Sequence, residues 1–211
     1  MERTAVPFVT TVVTPAASKY MTSVANFKTY VGITSSADDA LIDVLIKEAS
    51  SGIVDYVGRE LASEGLTSTF RVASIDVIDA LVLPRFPVTA ITTVTEDGTV
   101  LDTDEYEFVS ANGFVYRLDD ADQRIAWAGP KVTIAYTAGY VMLTAIPPAL
   151  ERACKEYVKM LYQARTRDAA LSEVSIPGVI SKGYQAPGVE GVRLPLIITN
   201  ALDAYRNTAI V

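Results

Sequence analysis

Two acidic runs are the first residues in the chain whose types and spacing could do chemistry. Asp102, Asp104 and Glu105 form one, and Asp119, Asp120 and Asp122 form the other. Clustered carboxylate oxygens suit a hard cation such as calcium, but neither run has the turn glycine and distal glutamate of a helix–loop–helix calcium loop. A solvated turn is the simpler expectation for both. A glycosidase needs two carboxyls, one of them buried and raised in pKa, and nothing in the sequence marks such a pair. There is no histidine, so the usual neutral-pH general base and the commonest transition-metal ligand are missing. Neither a Ser-His-Asp nor a Cys-His arrangement can be built. The single cysteine, Cys154, excludes an internal disulfide and a thiolate zinc site. It suits a reducing compartment and reads as a packed core residue. No GxxxxGK[ST] loop occurs, and Gly178 to Gly183 does not imitate one. Trp127 and the tyrosines could stack on bases or sugars. Without interleaved basic residues they read instead as sheet core and interface. No catalytic residue, no cofactor and no metal site is expected.

The bulk properties narrow the partners. The 211 residues suffice for one medium domain, or a domain with a large insert. Half of them are hydrophobic, yet no apolar run approaches the length of a membrane span. The first twenty residues lack the basic start and clean apolar block of a secretory signal. The formal charge is −7 with no basic cluster, which argues against gripping nucleic acid through its phosphates.

The elements that must position any site begin with the stretch Pro147 to Arg167. Two prolines suit a helix start. Leu150, Ala153, Cys154, Tyr157, Val158 and Leu161 then recur at helical steps and form an apolar stripe. Glu151 with Lys155, and Arg152 with Glu156, are spaced to pair on the charged side. A second long helix follows Ser36, the expected cap for the N–H of Asp39. It carries Ile42, Leu45, Ile46, Ala49, Ile53, Tyr56 and Val57 and stops at Gly58. These two stripes are expected to pack on each other. A short helix over Ser23 to Val31 ends at Gly32.

Between the long helices the hydrophobic period changes to two. Thr69 to Val72, Ala80 to Leu83, Val88 to Thr95, Tyr106 to Val109, Phe114 to Leu118 and Lys131 to Thr137 read as antiparallel strands. Asp97-Gly98 and Asn112-Gly113 mark turns. Met1 to Tyr20 reads as extended, either a frayed terminus or an arm laid on a neighbouring subunit. Asp168 to Arg193 has no period, and Gly178, Gly183, Gly188 and Gly191 with Pro177 and Pro187 rule out a regular element. It is nevertheless too apolar for a free linker, which suggests a segment ordered on a partner. Pro195 starts a last helix. The expected fold is α+β: an antiparallel helical bundle with an inserted antiparallel β-sheet lobe, an extended N-terminal arm and an irregular C-terminal segment. The expected divisions are an arm over 1–21, a helical core over 22–66 and 142–167, a β lobe over 67–141, an irregular interaction loop over 168–194, and a helix and tail over 195–211.

The order of certain segments resembles the head–tail connector (adaptor) family of tailed bacteriophages and phage-like particles. The segments are Phe27-Lys28-Thr29-Tyr30-Val31-Gly32-Ile33, Asp38-Asp39-Ala40-Leu41-Ile42, Tyr56-Val57-Gly58-Arg59, Leu81 to Val88, Tyr136-Thr137-Ala138-Gly139-Tyr140, Pro147-Pro148-Ala149-Leu150, and Tyr162 to Asp168 with Ser172-Glu173. The resemblance covers about residues 22 to 207. It implies a virion structural protein of the neck, made in the host cytoplasm and without enzymatic activity or cofactor. Twelve copies would form a ring beneath the portal protein, with a tail terminator or stopper on the other side. Genomic DNA would pass through the centre without sequence-specific binding, and no membrane is involved. The alternatives are another neck or tail-completion protein, a carbohydrate-binding module using the sheet aromatics, and a carboxylate hydrolase. The residues expected at partner interfaces are Ile176, Val179, Tyr184, Leu196, Ile198, Leu202 and Tyr205. On this view Ser172 to Val211 reaches the portal or the adjacent adaptor, and deletion from Leu194 onward leaves a folded monomer that no longer joins portal rings.

Overall fold

The computed structural model describes residues 6–72, 78–165, 173–176, 180–183 and 194–206. The fold is α+β, and the chain divides into two compact units, Met1–Lys19 with Arg59–Ala145 and Tyr20–Gly58 with Ile146–Val211.

The second unit holds the helices α1 (Val24–Val31), α2 (Asp39–Val57), α3 (Pro148–Ala164) and α4 (Leu196–Leu202), the last continuing into a 3-10 turn at Asp203–Tyr205. Ser23 caps α1 by accepting the N–H of Asn26 at 3.1 Å. Gly32 and Gly58, both at φ 76°, close α1 and α2 in the left-handed conformation that glycine adopts without a Cβ clash. Pro148 opens α3, where a missing N–H costs nothing. Ile42, Ile46, Ala49, Ile53 and Val57 of α2 are buried, as are Leu150, Ala153, Cys154, Tyr157 and Val158 of α3. The two helices pack on each other as their stripes require. Leu161 is only half-buried, so the α3 stripe closes at Val158. Glu151 pairs with Lys155 at 2.8 Å. Glu156 turns to the Tyr30 hydroxyl (2.5 Å) and Lys159 (3.8 Å) rather than to Arg152. The start of α2 also differs from expectation. The carbonyl of Ser36, not its hydroxyl, accepts from Asp39 N–H, and Asp38 occupies the cap position without capping through its side chain.

The other unit is built on strands β1 (Phe8–Thr14), β2 (Glu64–Arg71), β3 (Leu81–Val82), β4 (Val88–Glu96), β5 (Thr99–Val100), β6 (Tyr106–Val109), β7 (Phe114–Leu118), β8 (Arg124–Ile125) and β9 (Lys131–Ala138). One antiparallel sheet runs β1-β2-β9-β4-β5, and a second runs β3-β7-β6 with β8 added to β7. Their shared core includes Leu66, Phe70, Leu83, Val94, Val115, Trp127, Ile134 and Tyr136. Asp97 (φ 45°) and Gly98 (φ 86°) form the two-residue turn that pairs Glu96 with Thr99. At Gly139, φ is 107° and an added Cβ would lie 2.4 Å from the Ala62 carbonyl oxygen, so no side chain fits where β9 ends.

Three expectations are corrected. Among the described residues of the N-terminal stretch, Phe8–Thr14 is not frayed, since β1 pairs with β2 of its own sheet, Phe8 opposite Phe70 and Val12 opposite Leu66. The sheet also begins earlier than residue 67. Buried Glu64 and Ser68 stand on the core side of β2 and break the apolar alternation that would have revealed it. Finally, the stretch 168–194 is not wholly irregular, because β10 (Glu173–Ile176) pairs antiparallel with β11 (Ile180–Gly183) as a separate two-stranded sheet.

Candidate partner-binding surface

The residues expected at an interface fall into three groups. Ile176 ends β10, while Val179 and Tyr184 lie outside the described residues. Ile198 and Leu202, four apart on α4, are buried at 2% and 0% exposure, and α4 packs against α3. They belong to this chain's own core, so deletion from Leu194 onward would open that core rather than spare it. Tyr205 is half-buried. Leu196, at 74% exposure, and its neighbour Ile197, at 67%, project outward.

The position of α4 is set by polar contacts as well as packing. The Tyr56 hydroxyl donates to Asp203 Oδ1 at 2.7 Å, and Arg206 lies over the Tyr56 ring at 5.3 Å and 3.9 Å from Asp203. The hydrogen bond to Asp203 raises the Tyr56 pKa above its ordinary value. Beside these groups lies a cleft of about 640 Å³ lined by Gly52, Asp55, Tyr56, Tyr157, Leu194, Leu196 and Thr199. Gly52 leaves room there for the Tyr157 ring, since a Cβ would meet Tyr157 Cε1 at 3.1 Å. The cleft presents one carboxylate among aromatic and aliphatic walls. That composition suits an apolar side chain of a protein partner better than a reacting substrate.

A second exposed apolar surface lies in the N-terminal stretch. On β1, Phe8, Val9, Val12 and Val13 are 40%, 66%, 48% and 66% exposed. The signal was present in the β-branched run itself, but its partner strand was hidden by the polar core residues of β2.

The acidic runs serve the loops that contain them. Glu105 accepts the Asp102 N–H at 2.8 Å and pairs with Arg117 at 3.0 Å. That backbone hydrogen bond, then Arg117, holds its carboxyl below the usual glutamate range. Asp119 Oδ1 accepts the N–H groups of Ala121 and Gln123, each at 2.9 Å. Among the described residues no three histidine, cysteine or acidic side chains gather to hold a metal. Trp127 is 2% exposed and lies in the sheet core. No helix among the described residues is long and apolar enough to cross a membrane.

The fold resembles a chain in the neck of the empty gene transfer agent (GTA) particle computed with C6 symmetry, at 19% identity, TM-score 0.57, over 96% of this chain and 97% of that one. It also resembles a chain in the virion of the native GTA particle, at 19% identity and TM-score 0.56, with the same coverage. A chain in the neck of the native GTA particle computed with C12 symmetry matches at 19% identity and TM-score 0.53, again over 96% and 97%. No curated protein matches in sequence. The sequence model of head completion proteins matches residues 20–207, nearly the whole chain, and this chain therefore belongs to the head completion protein family.

Proposed function

We infer that this chain is a structural subunit of a virion neck, a head–tail connector that joins the DNA-filled head to the tail side of a phage-like particle. The family match over residues 20–207 carries this reading. The fold shared with GTA neck chains supports it, since those necks were computed with C6 and C12 symmetry. By that likeness the subunit works as one of twelve in a ring, with the portal protein on one face, a tail terminator or stopper on the other, and DNA passing through the centre. The helical bundle and the β lobe are its two working parts. The excess of acidic over basic residues suits a channel that lets phosphates slide rather than stick. The role requires no reaction and no cofactor. The carbohydrate-module reading loses its strongest stacking residue with Trp127 inside the core.

The exposed pair Leu196 and Ile197 is the surface on which to test the reading. The double variant Leu196→Asp/Ile197→Asp should melt within a few degrees of wild type, because neither side chain is buried. Mixed with purified portal rings and imaged by electron microscopy, wild type should add a ring of density and the variant should not. Failure of the wild-type chain to decorate portal would reject the connector assignment. Decoration by the variant would remove only these two residues from the interface.

A further inference from the structure

We propose that β1 is a docking edge for the β10–β11 hairpin of a second copy of this chain, an inference that rests on the ring reading above. The two edges of the five-stranded sheet are treated differently by the sequence. On the far side, β4 shifts register twice, between Val88 and Ala90 and between Ile91 and Thr93. Its Val88 N–H donates to the Ser110 carbonyl at 2.8 Å, and β5 covers Thr95 and Glu96. Bulges and covering segments are the usual means of closing a sheet edge to other chains.

At β1 those devices are nearly absent. Phe8–Thr14 reads FVTTVVT, with no charge and no proline, and its one register shift lies at the end, between Val12 and Thr14. The Arg71 N–H donates to the Pro7 carbonyl at 3.0 Å. Antiparallel alternation from that bond points the N–H and C=O groups of Phe8, Thr10 and Val12 away from β2. An uncharged, exposed strand with a free row of backbone groups is a template for an added strand.

The occupant follows from what the chain leaves incomplete. Strands β10 and β11 form a sheet of two, with four paired positions. A hairpin of that size is marginal without a third strand or a packing surface. Pairing of β1 with β1 of another copy would use the same patch twice and stop at a dimer. A ring requires two different surfaces, one on each side of every subunit. β1 and the hairpin are two different surfaces, so each copy can give one strand contact and receive another, as a ring requires.

The test uses full-length single-cysteine additions, with Cys154 retained because it is buried. Val9→Cys and Thr11→Cys are each mixed with Ser175→Cys or Ser181→Cys, assembled on portal rings, mildly oxidised and run without reductant. The proposal expects a covalent dimer from a mixture of one β1 variant with one hairpin variant, and none from any variant by itself. Rings that assemble without this cross-copy disulfide overturn the proposal while leaving the ring reading intact. So does a disulfide formed only within one chain of Thr11→Cys/Ser181→Cys. As a second measurement, Val12→Pro removes an outward N–H. It should abolish ring assembly while melting close to Val12→Thr, and normal assembly of Val12→Pro would overturn the docking. If the wild-type chain never assembles, the ring reading falls and the docking with it.

Discussion

At the residue scale, the clearest case of a side chain chosen for a distant partner is Asp38. A residue at a helix start normally turns its carboxylate back onto free N–H groups. Asp38 instead accepts the Tyr162 hydroxyl at 2.5 Å and both terminal nitrogens of Arg165, at 3.1 and 2.9 Å. The Arg165 guanidinium also covers the Tyr162 ring at 4.3 Å. The beginning of α2 is thus fastened to the end of α3. The hydrogen bond from Arg165, then that from Tyr162, holds the Asp38 pKa below its ordinary value. A lowered folded-state pKa contributes stability that is complete above the ordinary aspartate range, near ~3.9, and is lost as pH falls through the lowered value. Asp38→Asn should therefore melt below wild type at pH 7, with the gap closing under strongly acid conditions. Thermal melts at stepped pH check this, and a gap independent of pH would mean that the charge is not what matters. Cys154 illustrates the opposite environment. Burial pushes its thiol up to about 12, against a weaker pull from Ser50. The native protein should leave a thiol reagent unreacted at pH 8, and the denatured chain should consume one equivalent. The cysteine's role was legible from its place on an apolar stripe. The Asp38 clamp was not, because its members are separated by more than a hundred residues and no local rule joins them.

Among the elements, legibility followed the purity of the pattern. Helices α1, α2 and α3 were readable because apolar spacing agrees with the closing glycines of α1 and α2 and with the opening prolines of α3. The hairpin turns at Asp97-Gly98 and Asn112-Gly113 were readable for the same reason. The first part of strand β2, before Thr69, was concealed because its core positions include a carboxylate and a hydroxyl. Glu64 is kept there by Lys19 at 3.3 Å and Arg85 at 3.9 Å, and Ser68 bonds Thr10 at 2.7 Å and Tyr136 at 3.2 Å. Those contacts are tertiary and leave no trace in a window of sequence. The α2–α3 pairing makes a graded prediction. Ile46 is 2% exposed, whereas Leu161 is half-buried at the fading end of the stripe. Ile46→Ala should cost about 2–5 kcal/mol, the usual range for emptying a core site, and Leu161→Ala distinctly less. Chemical denaturation of both variants checks the order, and equal losses would mean that the helices meet along a different face.

For the whole molecule, what the sequence lacked proved as useful as what it held. Without histidine, no side chain with an ordinary pKa changes charge between about pH 5 and 8. The carboxylates that stand out are displaced away from neutrality. Burial pushes Glu60 and Glu151 upward, but Lys19 and Lys155, aided by backbone N–H groups at Glu60, outweigh it and leave both below the usual range. Asp38 and Glu105 are lowered as well. Their contributions are intact above the ordinary carboxylate range and lost only as pH falls through the lowered values. On the other side, the hydrogen bond to Glu60 raises Lys19, and the one to Asp43 raises Lys47. Those contributions are complete below the ordinary lysine range and lost as pH rises through the raised values. The midpoint of unfolding should consequently be flat from about pH 5.5 to 8, falling below it as the carboxylates protonate and above it as the Cys154 thiol, which ionises at about pH 8.5 only in the unfolded chain, favours unfolding. A particle neck built from such subunits would hold across the pH changes between a host cell and its surroundings without a titrating switch. Melting temperatures measured across that interval in one buffer series decide the matter. A step near pH 6.5 would require a strongly shifted group that the described residues do not contain.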